Sequence, residues 1–461
     1  MARSHTITGW NPEDRVAWDA GGERIARRNL VWSVAAEHVG FSVWSLWSVM
    51  VLFMPEGVYH LNAGDKFLIA ATATLVGSVL RLPYTMATAR FGGRNWTFFS
   101  ACVLIVPVLA TVVLLANPGR PLWIYLLCAA LTGLGGGNFA SSMTNINAFF
   151  PQRLKGWALG MNAGGGNIGV PAVQLVGLLV IAVAGNRQPW WVCAVYVVAL
   201  VLAAAGASRF MDNLDIVSVD TASMRAALRH RHTWLVSLLY IGTFGSFIGF
   251  SFAFGQVLQI SFQSGGQNAA QASLHAAQIA FVGPLLGSLA RVYGGRFADR
   301  IGGGRVTLAA FGGMIAGAGI LAVTATVAGR DTTGTAMALY VVGFVLLFVL
   351  SGIGNGSVYK MIPSIFEAAS RSLNADAQTR ANYSRAMSGA VIGIAGAIGG
   401  LGGVAINLVL RASYLANGTA TVAFWAFGAF YVIAAAVTWQ VYVRLPHGVT
   451  ADAHTLAPAR A

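Results

Sequence analysis

Two arginines stand inside strongly apolar stretches of this 461-residue chain. Arg81 lies nine residues before Arg90, and Arg291 nine before Arg300, where each stretch turns polar. Nine helical residues rise about 13–14 Å, close to half of a ~30 Å hydrocarbon core. A guanidinium at that depth costs at least ~2.5–3.5 kcal/mol. The plainer reading pairs each arginine with a buried carboxylate. Of the 15 Asp and Glu, however, only Glu37 falls inside an apolar stretch, and one carboxylate cannot neutralise two separated guanidiniums. A net positive centre remains, and its chemistry is anion binding. The guanidinium fork donates two parallel hydrogen bonds, which suits small planar oxyanions.

Other polar groups in the apolar stretches are few. Glu37 is expected to pair with a nearby Arg or Lys, with a proton-carrying role as the alternative. His38 is expected to pack, and Lys360 to snorkel to an interface. Tyr240 and Phe244 are four apart and share a helix face; they either pack or line a cavity. The glycine clusters 133–138, 164–169 and 399–403 are too rich for ordinary helix. They favour close helix packing, and Asn138 and Asn167 could add amide donors to an anion. Cys102, Cys128 and Cys193 lack metal-ligand spacing and read as packing residues. No metal or cofactor is expected.

The elements that must position these groups are membrane spans. Of the chain, 56% is hydrophobic and 10% charged, against about 25% charged in soluble domains. Twelve stretches can cross a bilayer, near 31–55, 67–89, 96–116, 121–148, 156–184, 190–208, 233–261, 276–296, 306–328, 336–366, 382–410 and 420–443. With the N-terminus inside, 21 of the 29 Lys and Arg fall in cytoplasmic segments and five in outer ones. That bias places both termini in the cytoplasm and accounts for the +14 net charge without a nucleic-acid partner. Residues 1–30 hold no apolar core, so no cleavable signal is expected.

The chain repeats. Gly77-Ser78-Val79-Leu80-Arg81, with Gly92-Gly93 beyond, recurs as Gly287-Ser288-Leu289-Ala290-Arg291 with Gly302-Gly303, at a constant offset of 210. A second echo sets Gly133, Gly135 and Gly137 against Gly352, Gly354 and Gly356. We therefore expect an all-α membrane protein with twelve transmembrane helices in two six-helix halves. The divisions are a cytoplasmic segment 1–30, halves at 31–208 and 233–444, a linker 209–232 and a tail 445–461. Related halves bind substrate between them near the midplane and rock about it.

These residues resemble a known family. Gly295-Arg296-Phe297-Ala298-Asp299-Arg300-Ile301-Gly302-Gly303 looks like the loop motif of the major facilitator superfamily. More narrowly, the chain resembles the bacterial nitrate/nitrite porters. The matching stretches are Leu80–Tyr84 with Phe91–Arg94, Gly137–Met143, Gly160–Gly169, Ser237–Tyr240 with Thr243–Phe250, and Ala290-Arg291. The resemblance implies the major facilitator fold and a carrier, not an enzyme. It implies nitrate and nitrite as partners, no cofactor, and a site in which Arg81 and Arg291 clamp the planar anion. Phe139, Tyr240 and Phe244 would surround it, with Asn167 nearby. The family's signature glycines map to Gly164, Gly165, Gly166 and Gly169 and to Gly396–Gly400, including Gly399 and Gly400. Helix 11 lacks an asparagine found in some relatives, and the outer connection 262–275 is longer than the family pattern. The branch it resembles is associated with nitrate/nitrite exchange in the bacterial inner membrane, and a monomer is expected.

Other readings stay open at this point: proton-coupled nitrate uptake through Glu37, or carriage of another anion such as formate, oxalate or phosphate. A membrane enzyme or receptor is disfavoured, because no Ser/His/Asp set, metal spacing or appended soluble domain is seen.

Overall fold

The computed structural model describes residues 5–185, 188–215, 221–328 and 334–444. The expected tail, the middle of the linker, and Arg187 and Arg330 of the outer loops lie outside the described residues. The architecture is all-helical, with one two-residue parallel ladder. Among the described residues eleven helices are long and apolar enough to cross a membrane, and a bent pair, taken as one span, makes a twelfth. In chain order they are α1 Arg15–Phe53, α2 Ala63–Val79 with Arg81–Phe91, α3 Gly93–Ala116, α4 Leu122–Phe149, α5 Arg153–Ala184 and α6 Trp190–Phe210. Then follow α7 Arg231–Ser264, α8 Ala269–Ile301, α9 Gly303–Thr326, α10 Gly334–Ser370, α11 Ala377–Asn417 and α12 Thr421–Arg444.

Local chemistry sets the ends. Asn62 and Asp65 form a capping box that starts α2, and Asn268 and Gln271 do the same for α8. Gly92 and Gly302 stop α2 and α8 at φ 86° and 89°, a region that L side chains avoid. These glycines are the same member of the sequence repeat, so the repeat is carried into backbone geometry. The expected 262–275 outer loop is corrected: the Asn268 cap begins α8 early, and only residues 265–268 connect it to α7.

One further expectation changes. The clusters 164–169 and 399–403 are uninterrupted α-helix. Of the three glycine clusters only Gly133–Gly137 leaves α geometry, as a 3-10 turn within α4. The expected close packing is seen at several of the glycines. A Cβ at Gly352 would stand 2.1 Å from the carbonyl oxygen of Gly287, and one at Gly136 2.6 Å from Cα of Gly77. In each half the glycine helix thus presses on the arginine helix.

The N-terminal segment is not a loose tail. β1 (Thr6–Ile7) pairs in parallel with β2 (Asn213–Leu214), which follows α6. Arg28 pairs with Asp212, and Asn29 both donates to its carboxylate and accepts from its backbone N–H. Trp10 and Trp18 meet Phe149 and Phe150 at ring-centroid distances of 5.6 and 5.9 Å. Across the molecule, α2 packs on α11 and α5 on α8.

Candidate functional site

The bend brings the first arginine to the centre. The two segments of α2 meet at 41°, and Arg81 opens the second. Its guanidinium is buried, at 1% exposure, and packs over three rings: Phe244 at 4.6 Å, Phe139 at 4.9 Å and Trp44 at 5.7 Å. Its Nη1 donates to the carbonyl of Gly396 on α11 at 2.8 Å. Arg291 comes from α8, is also buried, and lies over Tyr359 at 5.2 Å and Phe139 at 5.9 Å. Phe139 therefore touches both guanidiniums. Among the described residues no carboxylate oxygen lies within 4.0 Å of either arginine. Nε and Nη2 of Arg81 and Nη1 of Arg291 are buried without a protein partner.

The four other expected substrate-binding residues are Phe139, Asn167, Tyr240 and Phe244, and three of these gather at the arginines. Tyr240 stacks on Phe244 at 5.1 Å with planes 9° apart, and its buried hydroxyl has no protein partner. Asn167 is buried on α5 opposite α8, where its carbonyl accepts from Ser288 at 3.5 Å and its side-chain amide stays unpaired. No hydrogen bond joins it to either guanidinium among the described residues. Asn138 packs against Gly40 instead.

The signature glycines divide by role. Gly164 faces the cavity. Gly165, Gly166 and Gly169 press on Val34, Glu37 and the His38 carbonyl of α1. Gly399 presses on Tyr240 of α7 and Gly400 on Ser78 of α2, so α11 fits between helices of both halves.

A cavity of about 640 Å³ leads away from the arginines. Its wall takes Arg81, Phe139 and Trp157 from one half and Arg291, Tyr359 and Lys360 from the other. It runs toward the α4–α5, α8–α9 and α10–α11 connections. At the opposite end the halves are sealed: residues 46–54 of α1 and 250–259 of α7 are all buried. The arrangement is a charged chamber reachable from one side.

Sequence reasoning missed Tyr359. Its hydroxyl is buried without a partner, and its ring lies 4.8 Å from that of Tyr240. The available signal was its position three residues after Gly356 in the repeated glycine motif. The expectation for Glu37 is corrected. It is fully buried with no cation within 4.0 Å among the described residues; one carboxylate oxygen accepts from Ser142 Oγ and, at 2.6 Å, from Asn162 Nδ2. Neutral donors that α4 and α5 bring against α1 take the place of the expected arginine or lysine. His38 packs as expected, 3.2 Å from the Gly165 carbonyl. Lys360 does more than snorkel, holding Asp299 at 2.9 Å at the cavity mouth. Among the described residues no cluster of His, Cys, Asp and Glu could hold a metal ion.

Residues 38–387 match the family model described as Major Facilitator Superfamily. The chain is 35% identical to the nitrate/nitrite transporter NarU of Salmonella typhimurium, covering 95% of this chain and 96% of that one. It is 34% identical to NarU of Escherichia coli over the same shares. It is 32% identical to the probable nitrate/nitrite antiporter NarK2 of Thermus thermophilus, over 96% and 98%. Among solved structures, a mutant of the nucleoside transporter NupG superposes with a TM-score of 0.62 at 10% identity, covering 90% of this chain and all of that one. This last likeness concerns the fold alone.

Proposed function

The chain belongs to the Major Facilitator Superfamily and, within it, to the nitrate/nitrite porter family, and from that premise we propose that it exchanges nitrate for nitrite by alternating access, the anion held between Arg81 and Arg291. The observation that carries this reading is the pair of buried guanidiniums, one per half, with N–H groups left unpaired and no carboxylate beside them. Unpaired buried donors are costly, and a planar oxyanion satisfies several at once. The flat faces of Phe139 and Phe244 fix the plane of the guanidiniums.

Coupling follows from the same charges. In an empty carrier two guanidiniums approach each other unneutralised as the halves rock, and the repulsion opposes the crossing. A bound anion removes it. Loaded forms cross and empty forms do not, which is exchange. Nitrate inward against nitrite outward moves no net charge and needs no proton. The cavity mouth carries Arg296, Lys360 and Asp299, and we assign that side to the cytoplasm of the bacterial inner membrane, with both termini there and the chain acting as a monomer.

Proton-coupled uptake is the second reading, and one observation favours keeping it in view: Glu37 is a buried carboxylate held only by neutral donors. The test is counterflow in proteoliposomes. Vesicles loaded with nitrite should accumulate labelled nitrate without a pH gradient, and empty ones should not. Formate and chloride should compete far less than nitrite. Strong competition by formate would reassign the substrate.

A further inference from the structure

Helix α1 ends at Met54-Pro55, and that ending exposes a carbonyl. The Leu52 oxygen would ordinarily accept from an N–H three or four residues ahead. Pro55 has no N–H, and Glu56 begins a separate short helix, Glu56–Tyr59. Among the described residues no backbone N–H bonds to Leu52. Two side chains from the other half cap it instead: Gln259 Nε2 of α7 at 3.1 Å and Ser273 Oγ of α8 at 2.7 Å. Gln259 also donates to Ser273 Oγ at 2.8 Å, so the three groups form one buried cluster. Ser273 has a second acceptor in reach, the Ala269 carbonyl at 2.7 Å in its own helix.

Two more amides cross between the halves. Gln256 Nε2 donates to the Ala63 carbonyl at 2.9 Å, and Gln174 Nε2 donates in the other direction to the Ser251 carbonyl at 2.8 Å. All of these links are neutral. That matters for a gate that opens every cycle. Parting a dry ion pair leaves two uncompensated charges. Amide and hydroxyl links to carbonyls are exchanged for water at a net change of about 2- to 13-fold in equilibrium constant each.

We propose that Gln259 and Ser273 are a latch on the Leu52 carbonyl, which holds the side opposite the cavity shut and sets the balance between the two facing forms. The latch rests on the alternating-access reading above. It exists only while the halves touch at this end, because α1 cannot cap its own carbonyl. When they part, water takes over the cap, and Ser273 turns its proton to Ala269.

The test is cysteine accessibility with a membrane-impermeant maleimide, with Cys102, Cys128 and Cys193 replaced by alanine. Gly255 is the probe for the sealed end. A Cβ there meets Ala280 at 3.4 Å and the Leu52 side chain at 3.5 Å, ordinary contacts, so Gly255→Cys fits and is covered while the latch holds. Gln259→Leu and Ser273→Ala should each raise its labelling rate by about 2- to 13-fold, with a larger rise in the double variant. Ser261→Ala, which loses a hydrogen bond within α7 only, should leave the rate unchanged. Labelling of Thr144→Cys on the cavity wall should fall in the double variant. Rates within twofold of the parent in both single variants would overturn the latch; those two variants decide the matter if the double one does not fold. Labelling needs no substrate, so the latch can fail while counterflow succeeds, and the reverse.

Discussion

Arg81 of the first half donates from Nη1 to the backbone carbonyl of Gly396 in the second, at 2.8 Å. One nitrogen of the guanidinium is thereby spent on holding the halves together, and Nε and Nη2 remain for an anion. The arginine proposed to bind the anion thus also links the two halves.

Arg81→Lys should therefore lose both functions. A lysine supplies a point charge but not the fork, and its shorter reach forfeits either the Gly396 link or the anion. Hydrogen bonds to charged groups are worth about 1.5–3 kcal/mol, so nitrate affinity should fall at least tenfold. Arg291→Lys should fall similarly, without the effect on contact between the halves. Equilibrium binding of nitrate to the purified variants, with circular dichroism to confirm folding, measures this. Parent-like affinity in both would remove the arginines from the site.

The aromatic floor should govern selectivity. Phe244 lies 4.6 Å beneath Arg81, and cation–π contacts of this kind, when desolvated, are worth up to ~2 kcal/mol. Phe244→Ala should weaken nitrate binding several-fold and let non-planar anions compete better. Competition assays with chloride and phosphate read the second effect directly.

Tyr240→Phe and Tyr359→Phe each delete one buried, unpaired hydroxyl while keeping the ring. If these hydroxyls donate to the anion, each variant should bind nitrate about 2- to 13-fold more weakly. If they only pack, removing an unsatisfied polar atom should leave affinity intact and raise thermal stability slightly. The two outcomes differ in the rise in melting temperature that nitrate produces, which shrinks in the first case and is kept in the second.

Glu37→Gln should keep exchange. The amide can still accept from Ser142 and Asn162 through its oxygen, so the cluster between α1, α4 and α5 survives. Uptake into empty liposomes under an imposed inward proton gradient decides between the two coupling modes. Robust accumulation there, abolished in Glu37→Gln, would make the protein a symporter.

Much of this site was legible because it rests on rarity. An arginine in an apolar stretch is expensive, so its type and depth alone located Arg81 and Arg291, and helical spacing put Tyr240 and Phe244 on one face. Tyr359 carried no such mark, since an aromatic in a membrane helix is ordinary and only the fold turns it inward. Glu37 was misjudged because sequence shows charge but not the hydroxyl and amide that α4 and α5 deliver to it. The glycine runs read as close-packing surfaces but not as ordinary helix: in lipid, where water cannot compete for the backbone, the runs at 164–169 and 399–403 stay α-helical while serving as contact surfaces. The Leu52 cap depends on residues more than 200 positions away and has no local signature beyond Pro55.

The ladder between Thr6–Ile7 and Asn213–Leu214 has a consequence for biosynthesis. The first strand is made 207 residues before its partner. At bacterial elongation speeds that is a delay on the order of 10–40 s. Throughout it, β1 lacks its pairing strand, although Phe149, the ring on which Trp10 docks, is made earlier. The strap can close only when α6 has been made and the chain beyond it has emerged, so it forms late in the folding of the first half.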